Sequence, residues 1–275
     1  MTSAPLRGLC QVLKIKRIRP AKEANRLTTL WQEHGPNTYP LDLGQLIDGA
    51  LRTSDFRGTL ETKKGNFDSF EGCLLIVQGD DNWTILLNES VENKRRQRFT
   101  YAHELGHFMC HRHLQDRFED SDTTLNDFNN TIEAEANTFA SWLLMPSNIV
   151  RDEFDGIDWN TPSLSQIGTR FECSLQASAL RFVSLSSEPI AFVVSRDGMI
   201  NWACKSKSAP FMTAYKFGDE LPEKSHASLC FSGLESDLNN SNTGLHWNSY
   251  TPSTESQYFD YSGQGYQYTC VEFER

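Results

Sequence analysis

Residues 98–113 read RFTYAHELGHFMCHRH and contain four of the seven histidines of the chain. His103 and His107 are four positions apart, a spacing that turns one side chain from the other by only about 40° on a helix. Two imidazoles on one helix face can hold a single Zn²⁺, and Glu104 beside the first can reach a water molecule at the metal. The segment therefore predicts a helix with a HExxH zinc site and Glu104 as its catalytic residue.

A catalytic zinc needs a third protein ligand and one open position. Glu133 and Asn137 lie on the next predicted helix and share a face, because they too are four positions apart. We expect Glu133 to be the third ligand and Asn137 to support a ligand histidine from behind. Glu135 points about 160° away from Asn137 and is the less favoured ligand, expected to face solvent or to form a salt bridge.

The remaining polar side chains of the HExxH segment have less defined roles. His111 continues the His103 face one turn further on, which predicts a supporting role behind the ligands, with substrate contact as the alternative. Tyr101 lies about 200° around the helix from His103 and is expected to point elsewhere, so the donor to the oxyanion stays unassigned. Arg112 and His113 are expected at the surface.

Two sequence blocks together resemble a known family. RFTYAHELGH at residues 98–107 is followed by ExEANxFAxxLLMP at residues 133–146, and this pair is similar to the ImmA/IrrE family of bacterial zinc metallopeptidases. The blocks, their order and their separation all agree, and the resemblance covers roughly residues 20–152. Carried over by motif, the metal ligands of the family fall on His103, His107 and Glu133, and its catalytic glutamate falls on Glu104.

The resemblance implies a zincin-like endopeptidase with one Zn²⁺ per chain. Enzymes of this family typically cleave a helix-turn-helix transcriptional repressor and so derepress stress, phage or mobile-element genes. Long members carry a helix-turn-helix-like segment and a GAF-like C-terminal domain after the peptidase, and this chain follows the long version. The resemblance thus implies a protein substrate, and the C-terminal domain is a candidate site for a small-molecule ligand.

Composition excludes several classes of protein. The 26 Lys and Arg against 36 Asp and Glu give a net charge of −10, which argues against direct DNA binding and against binding to an anionic membrane. No apolar run approaches the roughly 20 residues that span a bilayer, and the first ten residues lack the pattern of a secretory signal. The seven cysteines form no Cys-x-x-Cys and are odd in number, which predicts a cytoplasmic protein without a disulfide framework.

Periodicity predicts a regular arrangement up to residue 145. The basic residues 1–24 are expected to be a solvated terminal segment, with a partner contact as the alternative. One strand of a central hairpin is expected to offer the sheet edge on which a peptide substrate lies as an added strand. In order, the predicted elements are helices at 20–33 and 41–51, hairpin strands at 72–78 and 83–88 joined by a turn at 79–82, a helix at 93–113, an acidic loop at 114–130 and a helix at 131–145.

Two short helices at a sharp turn are predicted over residues 163–185. Gly168 would allow close packing, and Ser174 is a good N-cap for the second helix. That second helix offers only Arg181 to DNA, so packing against the peptidase or docking of a repressor is favoured over base readout. Residues 188–275 are acidic and rich in strand and turn signals, with a hairpin turn at residues 196–198. Their aromatic residues are expected in core and strand positions, with a ligand pocket as the alternative: Trp202, Trp247, Tyr250, Tyr258 and Tyr261.

We therefore predict an α+β protein. Its parts are a zincin-like metallopeptidase domain at residues 1–159, a helix-turn-helix-like connector at 160–187 and an acidic, β-rich, GAF-like domain at 188–275. The predicted function is zinc-dependent cleavage of a helix-turn-helix repressor. The alternatives are a DNA-binding regulator whose zinc site is only structural, and a ligand-gated sensor whose C-terminal domain controls the peptidase.

Overall fold

The computed structural model describes residues 18–77, 81–120, 131–235, 237–260 and 265–275. Four predictions lie wholly or partly outside these residues and stay predictions there: the basic segment at 1–24, the turn at 79–82, the acidic loop at 114–130 and the environment of Tyr261. None of the described helices combines the length and the apolar composition needed to cross a lipid bilayer. The described cysteines are all free thiols.

The described residues form helices α1–α8 and strands β1–β9, and the α+β class is as predicted. The N-terminal part contains α1 (Pro20–His34), α2 (Leu43–Arg52), β1 (Thr59–Gly65), β2 (Gly72–Val77), β3 (Asn82–Asn88), α3 (Lys94–His111), β4 (Arg117–Asp120) and α4 (Thr131–Leu144). Three helices follow: α5 (Ser147–Phe154), α6 (Thr161–Phe171) and α7 (Leu175–Leu185). The C-terminal part contains β5 (Ile190–Arg196), β6 (Met199–Lys205), α8 (His226–Phe231), β7 (Asn239–Gly244), β8 (Ser253–Phe259) and β9 (Tyr266–Phe273).

The first sheet has the strand order β1-β3-β2-β4. The predicted hairpin of β2 and β3 is present and antiparallel, but β1 also pairs with β3 in parallel, and β4 pairs antiparallel with β2. The prediction that residues 73–78 or 83–88 form the free edge is therefore wrong, since both strands are interior. Sequence periodicity missed β1 because it is charged and mostly exposed, and β4 because it is four residues long within an acidic segment predicted as a loop.

The first sheet packs against α3, which in turn packs against α4. Leu74 and Ile85 of the sheet, Phe108 of α3 and Phe139 of α4 are fully buried in one apolar core. Burial of each such side chain contributes about 1.5–3 kcal/mol to stability. Gly106 sets the spacing of the two helices, because a Cβ there would lie 3.2 Å from the Cα of Ala136.

The predicted pair of short helices is present as α6 and α7. A Cβ at Gly168 would lie 2.9 Å from the Cys173 carbonyl, and the Ser174 hydroxyl accepts a hydrogen bond from the Ala177 N–H as the N-cap of α7. Arg181 is buried, and its guanidinium donates to the Met145 carbonyl and lies 4.2 Å from the centre of the Trp142 ring. The basic residue of α7 thus faces the N-terminal part and is not presented to DNA.

The second sheet has the strand order β6-β5-β9-β8-β7, and all its pairs are antiparallel. The predicted hairpin turn joins β5 to β6 through Asp197 and Gly198, whose φ values of 51° and 77° are typical of a tight type I′ turn. One face of the sheet joins the main core, where Phe192 packs beside Trp159. The other face carries a smaller core in which Trp247 is fully buried, whereas Tyr250 is 91% exposed.

Helix α5 was not predicted, because Pro146 was interpreted only as the end of the preceding helix. Pro146 does end α4, but its extended backbone then serves as the N-cap residue of α5. Val150 and Phe154 of α5 are buried in the main core. This core contains residues from the N-terminal part, from α6 and α7, and from the second sheet, so the three parts pack as one body.

Candidate metal centre

Helix α3 presents three histidines on one face in successive turns. Asn93 is the N-cap of the helix, and its side chain accepts hydrogen bonds from the backbone N–H groups of Arg95 and Arg96. His103 and His107 are completely buried, and His111 is only 2% exposed. Imidazole nitrogens buried this deeply are expected to have hydrogen-bond or metal partners.

Helix α4 brings its first turn to the same place. The close approach of α3 and α4 at Gly106 and Ala136 puts the Glu133 side chain, 12% exposed, against two of the rings. Glu133 Oε2 lies 3.1 Å from His103 Nε2 and 3.3 Å from His107 Nε2, and the two Nε2 atoms are 2.9 Å apart. The structure thus brings together the three residues predicted as metal ligands.

The hydrogen bond between His103 and Asn137 determines which ring nitrogen of His103 carries the proton. His103 Nδ1 lies 2.8 Å from Asn137 Oδ1, and an amide oxygen only accepts hydrogen bonds. The proton therefore sits on Nδ1, and in the neutral ring Nε2 presents its lone pair towards Glu133.

A second chain of contacts gives the same result for His107. The Glu135 carboxylate lies 3.0 Å from His111 Nε2 and can only accept, so the His111 proton is on Nε2. Burial lowers the pKa of His111 despite the opposing effect of Glu135, which favours the neutral ring at pH 7. His111 Nδ1 is then an acceptor for His107 Nδ1–H at 3.2 Å, and His107 Nε2 also presents a lone pair to the cluster.

Three acceptors therefore converge on one point: two imidazole lone pairs and a carboxylate oxygen. They repel one another unless a cation lies between them, and a metal ion can contact all three, whereas a proton joins only two. Burial would raise the pKa of Glu133, but the close approach of the His103 and His107 rings outweighs that effect and holds the pKa well below its usual value, so the carboxylate is ionised. His103, His107 and Glu133 accordingly form a group that could hold a metal ion.

The distances between these three ligand atoms also fit a metal ion. Ligands at about 2.0–2.2 Å from a tetrahedral ion lie about 3.3–3.6 Å apart, so the observed 2.9–3.3 Å needs an outward movement of only a few tenths of an ångström. Two imidazoles and one carboxylate are a donor set typical of catalytic sites that keep a fourth position open. The residues present therefore fit a divalent metal ion.

Glu104, which follows His103 in α3, is completely buried against the start of β2. A Cβ at Gly72 would lie only 2.5 Å from Glu104 Oε1 and 2.5 Å from Thr100 Cγ2. A side chain at residue 72 would therefore displace the Glu104 carboxylate or the Thr100 methyl group from its present position. This role of Gly72 could not be inferred from the sequence, because it depends on the approach of β2 to α3.

Strand β4 covers the histidine face from the other side. Its residue Phe118 is buried, and the ring stacks on His107 with 4.5 Å between centroids and an angle of 21°. Sequence reasoning missed Phe118, although a single apolar residue flanked by Arg117 and Glu119 is compatible with an inward-facing strand position. The edge strand of the first sheet thus runs along the candidate metal centre.

The other side chains of the HExxH segment point away from the cluster. Tyr101 is hydrogen-bonded at 3.1 Å to the Thr62 hydroxyl on β1. His113 is exposed, as expected. Arg112 is not a free surface residue as predicted, because its guanidinium lies 5.2 Å and 4.8 Å from the ring centres of Phe56 and Phe108.

Comparison with known proteins adds independent findings. Residues 56–183 match the family model Peptidase_M78, the IrrE N-terminal-like domain. Among solved structures, the chain is similar to a Mycobacterium tuberculosis transcriptional regulator, with a TM-score of 0.52 and 13% identity over 92% of this chain and 76% of that chain. At this identity the likeness concerns the fold alone. No curated protein matches the sequence.

Proposed function

Because residues 56–183 form an IrrE N-terminal-like domain of the Peptidase_M78 family, we propose that this protein is a zinc-dependent endopeptidase that cleaves a regulatory protein. One observation carries the proposal: the acceptors of His103, His107 and Glu133 converge within 3.3 Å of one another, and the residue that follows His103 in α3 is the buried Glu104. The family supports a metallopeptidase, and the donor set supports Zn²⁺ as the metal.

The roles of the residues around the metal follow from their contacts. A bound divalent metal ion supplies Lewis acidity, which polarises a peptide carbonyl and makes water nucleophilic near neutral pH. His103, His107 and Glu133 would hold the ion. Asn137 fixes the ring of His103, and the pair of His111 and Glu135 fixes the ring of His107, as carboxylates and amides commonly do behind metal ligands.

Glu104 is the proposed general base and acid. It follows His103 directly in α3, and its carboxylate is enclosed by the helix and by β2 at Gly72. In this position it accepts the proton of the attacking water and passes it to the leaving amine. The surrounding protein keeps bulk water away from that carboxylate, so the proton stays within the site.

We place the substrate along β4 rather than along the strands predicted from the sequence. The Ile76 N–H donates to the Asp116 carbonyl, and in an antiparallel pair every second residue along a strand is hydrogen-bonded to its partner strand. Phe118 therefore bonds to β2 through its backbone, whereas the backbone groups of Arg117 and Glu119 face away from β2. An extended peptide can add to these groups as a further strand. Its backbone would then run past Phe118 and the metal centre.

The substrate class is inferred from the family resemblance and from charge. A helix-turn-helix repressor carries a basic surface for DNA, and a chain with a net charge of −10 attracts such a partner over a distance. The free thiols of the described cysteines are compatible with a cytoplasmic location, which is part of the proposal.

The test of catalysis is Glu104→Gln in the full-length chain. We expect the variant to bind one zinc per chain and to lose cleavage of a helix-turn-helix protein encoded beside its gene by about 10²–10⁴-fold, because the ligands are intact and the base is gone. Zinc is measured by elemental analysis and cleavage by gel and mass spectrometry. The exposed Glu92→Gln is the matched control. Full activity of Glu104→Gln would refute the assigned role.

The test of strand addition is Glu119→Pro. Proline removes the outward N–H of β4 without removing a hydrogen bond to β2, and edge strands tolerate it. We expect cleavage to fall at least tenfold with the zinc content unchanged. Glu119→Ala removes the same side chain but keeps the N–H, and it should retain activity. Equal activities of the two variants would place the substrate elsewhere.

A further inference from the structure

A crevice of about 750 Å³ lies where α5, α7 and the second sheet meet, away from the metal centre. Its floor is apolar. The rings of Trp159 and Phe182 stack there at 5.7 Å and 11°, and Ile157 and Ile190 extend the same wall. A crevice of this size with an apolar floor and a polar rim can hold several side chains of a partner.

The rim of this crevice is strongly acidic. Five of its lining residues are carboxylates and one, Arg151, is basic; the carboxylates belong to Asp152, Asp155, Asp158, Glu188 and Glu272. The first three are exposed, so they can meet a partner. Burial, together with the nearby charges of Glu188 and Asp158, raises the pKa of Glu272, which indicates that these carboxylates lie close enough to repel one another.

The rim already binds one guanidinium of this chain. Arg275 pairs with Glu188 through two contacts, one of them 3.1 Å between Nε and Oε2. The other four carboxylates keep an excess of negative charge around an apolar floor, which concentrates the electric field in the crevice. A cationic partner would relieve this repulsion, whereas the phosphates of a nucleic acid would increase it.

We propose that this crevice docks a basic, amphipathic segment of the protein substrate. An apolar side chain would lie against Trp159 and Phe182, with flanking Lys or Arg side chains on the acidic rim. The proposal rests on the proposed function only in identifying the occupant as the substrate. Helix α4 rises about 16 Å from Glu133 to Leu144, and α5 follows at that far end, so docking would hold the substrate at a distance from the cleavage site.

The test measures binding without cleavage, in the full-length chain carrying Glu104→Gln. The probe is a fluorescein-labelled 15-residue helical peptide with Leu at one face and Arg on both flanks of that face, followed by fluorescence anisotropy. The docking variant adds Asp152→Asn, Asp155→Asn and Asp158→Asn. The control variant instead adds Glu33→Gln, Glu220→Gln and Glu223→Gln, three exposed positions outside the crevice that change the net charge equally.

We expect the docking variant to bind the peptide about tenfold more weakly and the control variant to bind it as before. Ile157→Ser should weaken binding by severalfold at any salt concentration, because it changes the apolar wall and not the charge. Equal affinities of the docking and control variants would overturn the proposal, since the attraction would then be a general property of an acidic chain. Equal binding of a second peptide, with the same composition but with its Leu residues scattered so that it has no apolar face, would also overturn the proposal.

The same variants distinguish this proposal from the peptidase activity. With Glu104 restored, the docking variant should cleave a short peptide spanning the cleavage site at the normal rate and the whole substrate protein several times more slowly. If no variant cleaves anything, the peptidase proposal fails while the binding data still decide the docking site. If cleavage of the whole protein is unaffected, the crevice does not dock the substrate.

Discussion

Two buried polar clusters of this protein can be compared directly. In the cluster on α3 and α4, the short contacts join acceptors to acceptors: His103 Nε2, His107 Nε2 and Glu133 Oε2 lie within 3.3 Å of one another. In the cluster under α8, each short contact joins a donor to an acceptor. Glu255 accepts from the backbone N–H groups of His226 and Ala227 at 3.1 and 2.9 Å.

The second cluster continues in the same alternating manner. Gln257 donates to Glu255 at 3.1 Å and accepts from Gln267 and Thr269 at 2.9 and 2.6 Å. His226 Nε2 donates to the Asp237 carbonyl at 2.7 Å. These contacts pair donors with acceptors and hold α8 on the sheet, whereas converging acceptors need a cation. Both clusters are buried and polar. They differ in their short contacts, which join acceptors to one another in the candidate metal centre and join donors to acceptors in the structural network.

The largest expected effect comes from removing one acceptor in each cluster. Glu133→Ala should lose the metal and reduce cleavage by at least 10³-fold, and a chelator should do the same to the unaltered chain. Glu255→Ala should keep the metal and the activity, and should lower the free energy of unfolding by about 1–3 kcal/mol because two buried N–H groups lose their partner. Metal analysis, kinetics and urea unfolding measure these effects. Loss of metal from Glu255→Ala would remove the distinction between the clusters.

A smaller effect is expected behind the metal ligands. Glu135→Ala removes the acceptor that fixes the proton of His111, so His107 Nδ1 loses its defined partner. We expect the affinity for zinc to fall about 10–100-fold, as is usual when such supporting groups are removed. Competition with a chromophoric chelator measures this affinity. Ala at exposed Glu89 is the control, and equal affinities of the two variants would show that His111 does not depend on Glu135.

The smallest effect is a pH dependence in the second cluster. Burial raises the pKa of Glu255 above its usual value, against the hydrogen bonds of Ala227 and His226 and the charge of His226. The native state then holds the proton more tightly, so this contribution to stability is complete below about pH 4.3 and is lost as the pH rises through the raised pKa. Glu255→Gln cannot titrate, so its deficit relative to the unaltered chain should shrink between about pH 4 and 7. A constant deficit in urea unfolding over that range would contradict this.

Local patterns in the sequence predicted much of the candidate site. The spacing of His103 and His107, the face shared by Glu133 and Asn137, the cap at Ser174 and the end of α4 at Pro146 depend only on helix periodicity and nearby backbone groups. A salt bridge of Glu135 was one of its two predicted alternatives, but the partner could not be predicted, because it depends on where His111 lies across the gap between α3 and α4. The same holds for Gly72, which matters only because β2 approaches Glu104.

By itself, the sequence determined the helix of the HExxH segment, the helix that carries Glu133, the β2–β3 hairpin and the acidic balance of the chain. These are set by contacts between residues a few positions apart, or by composition. Only the tertiary structure decided that β1 and β4 flank the hairpin, that Phe118 lies on His107, that Arg181 is turned inward and that five carboxylates surround one crevice. Each of these depends on pairings between distant residues, whose positions follow from the packing of the whole core rather than from any local pattern.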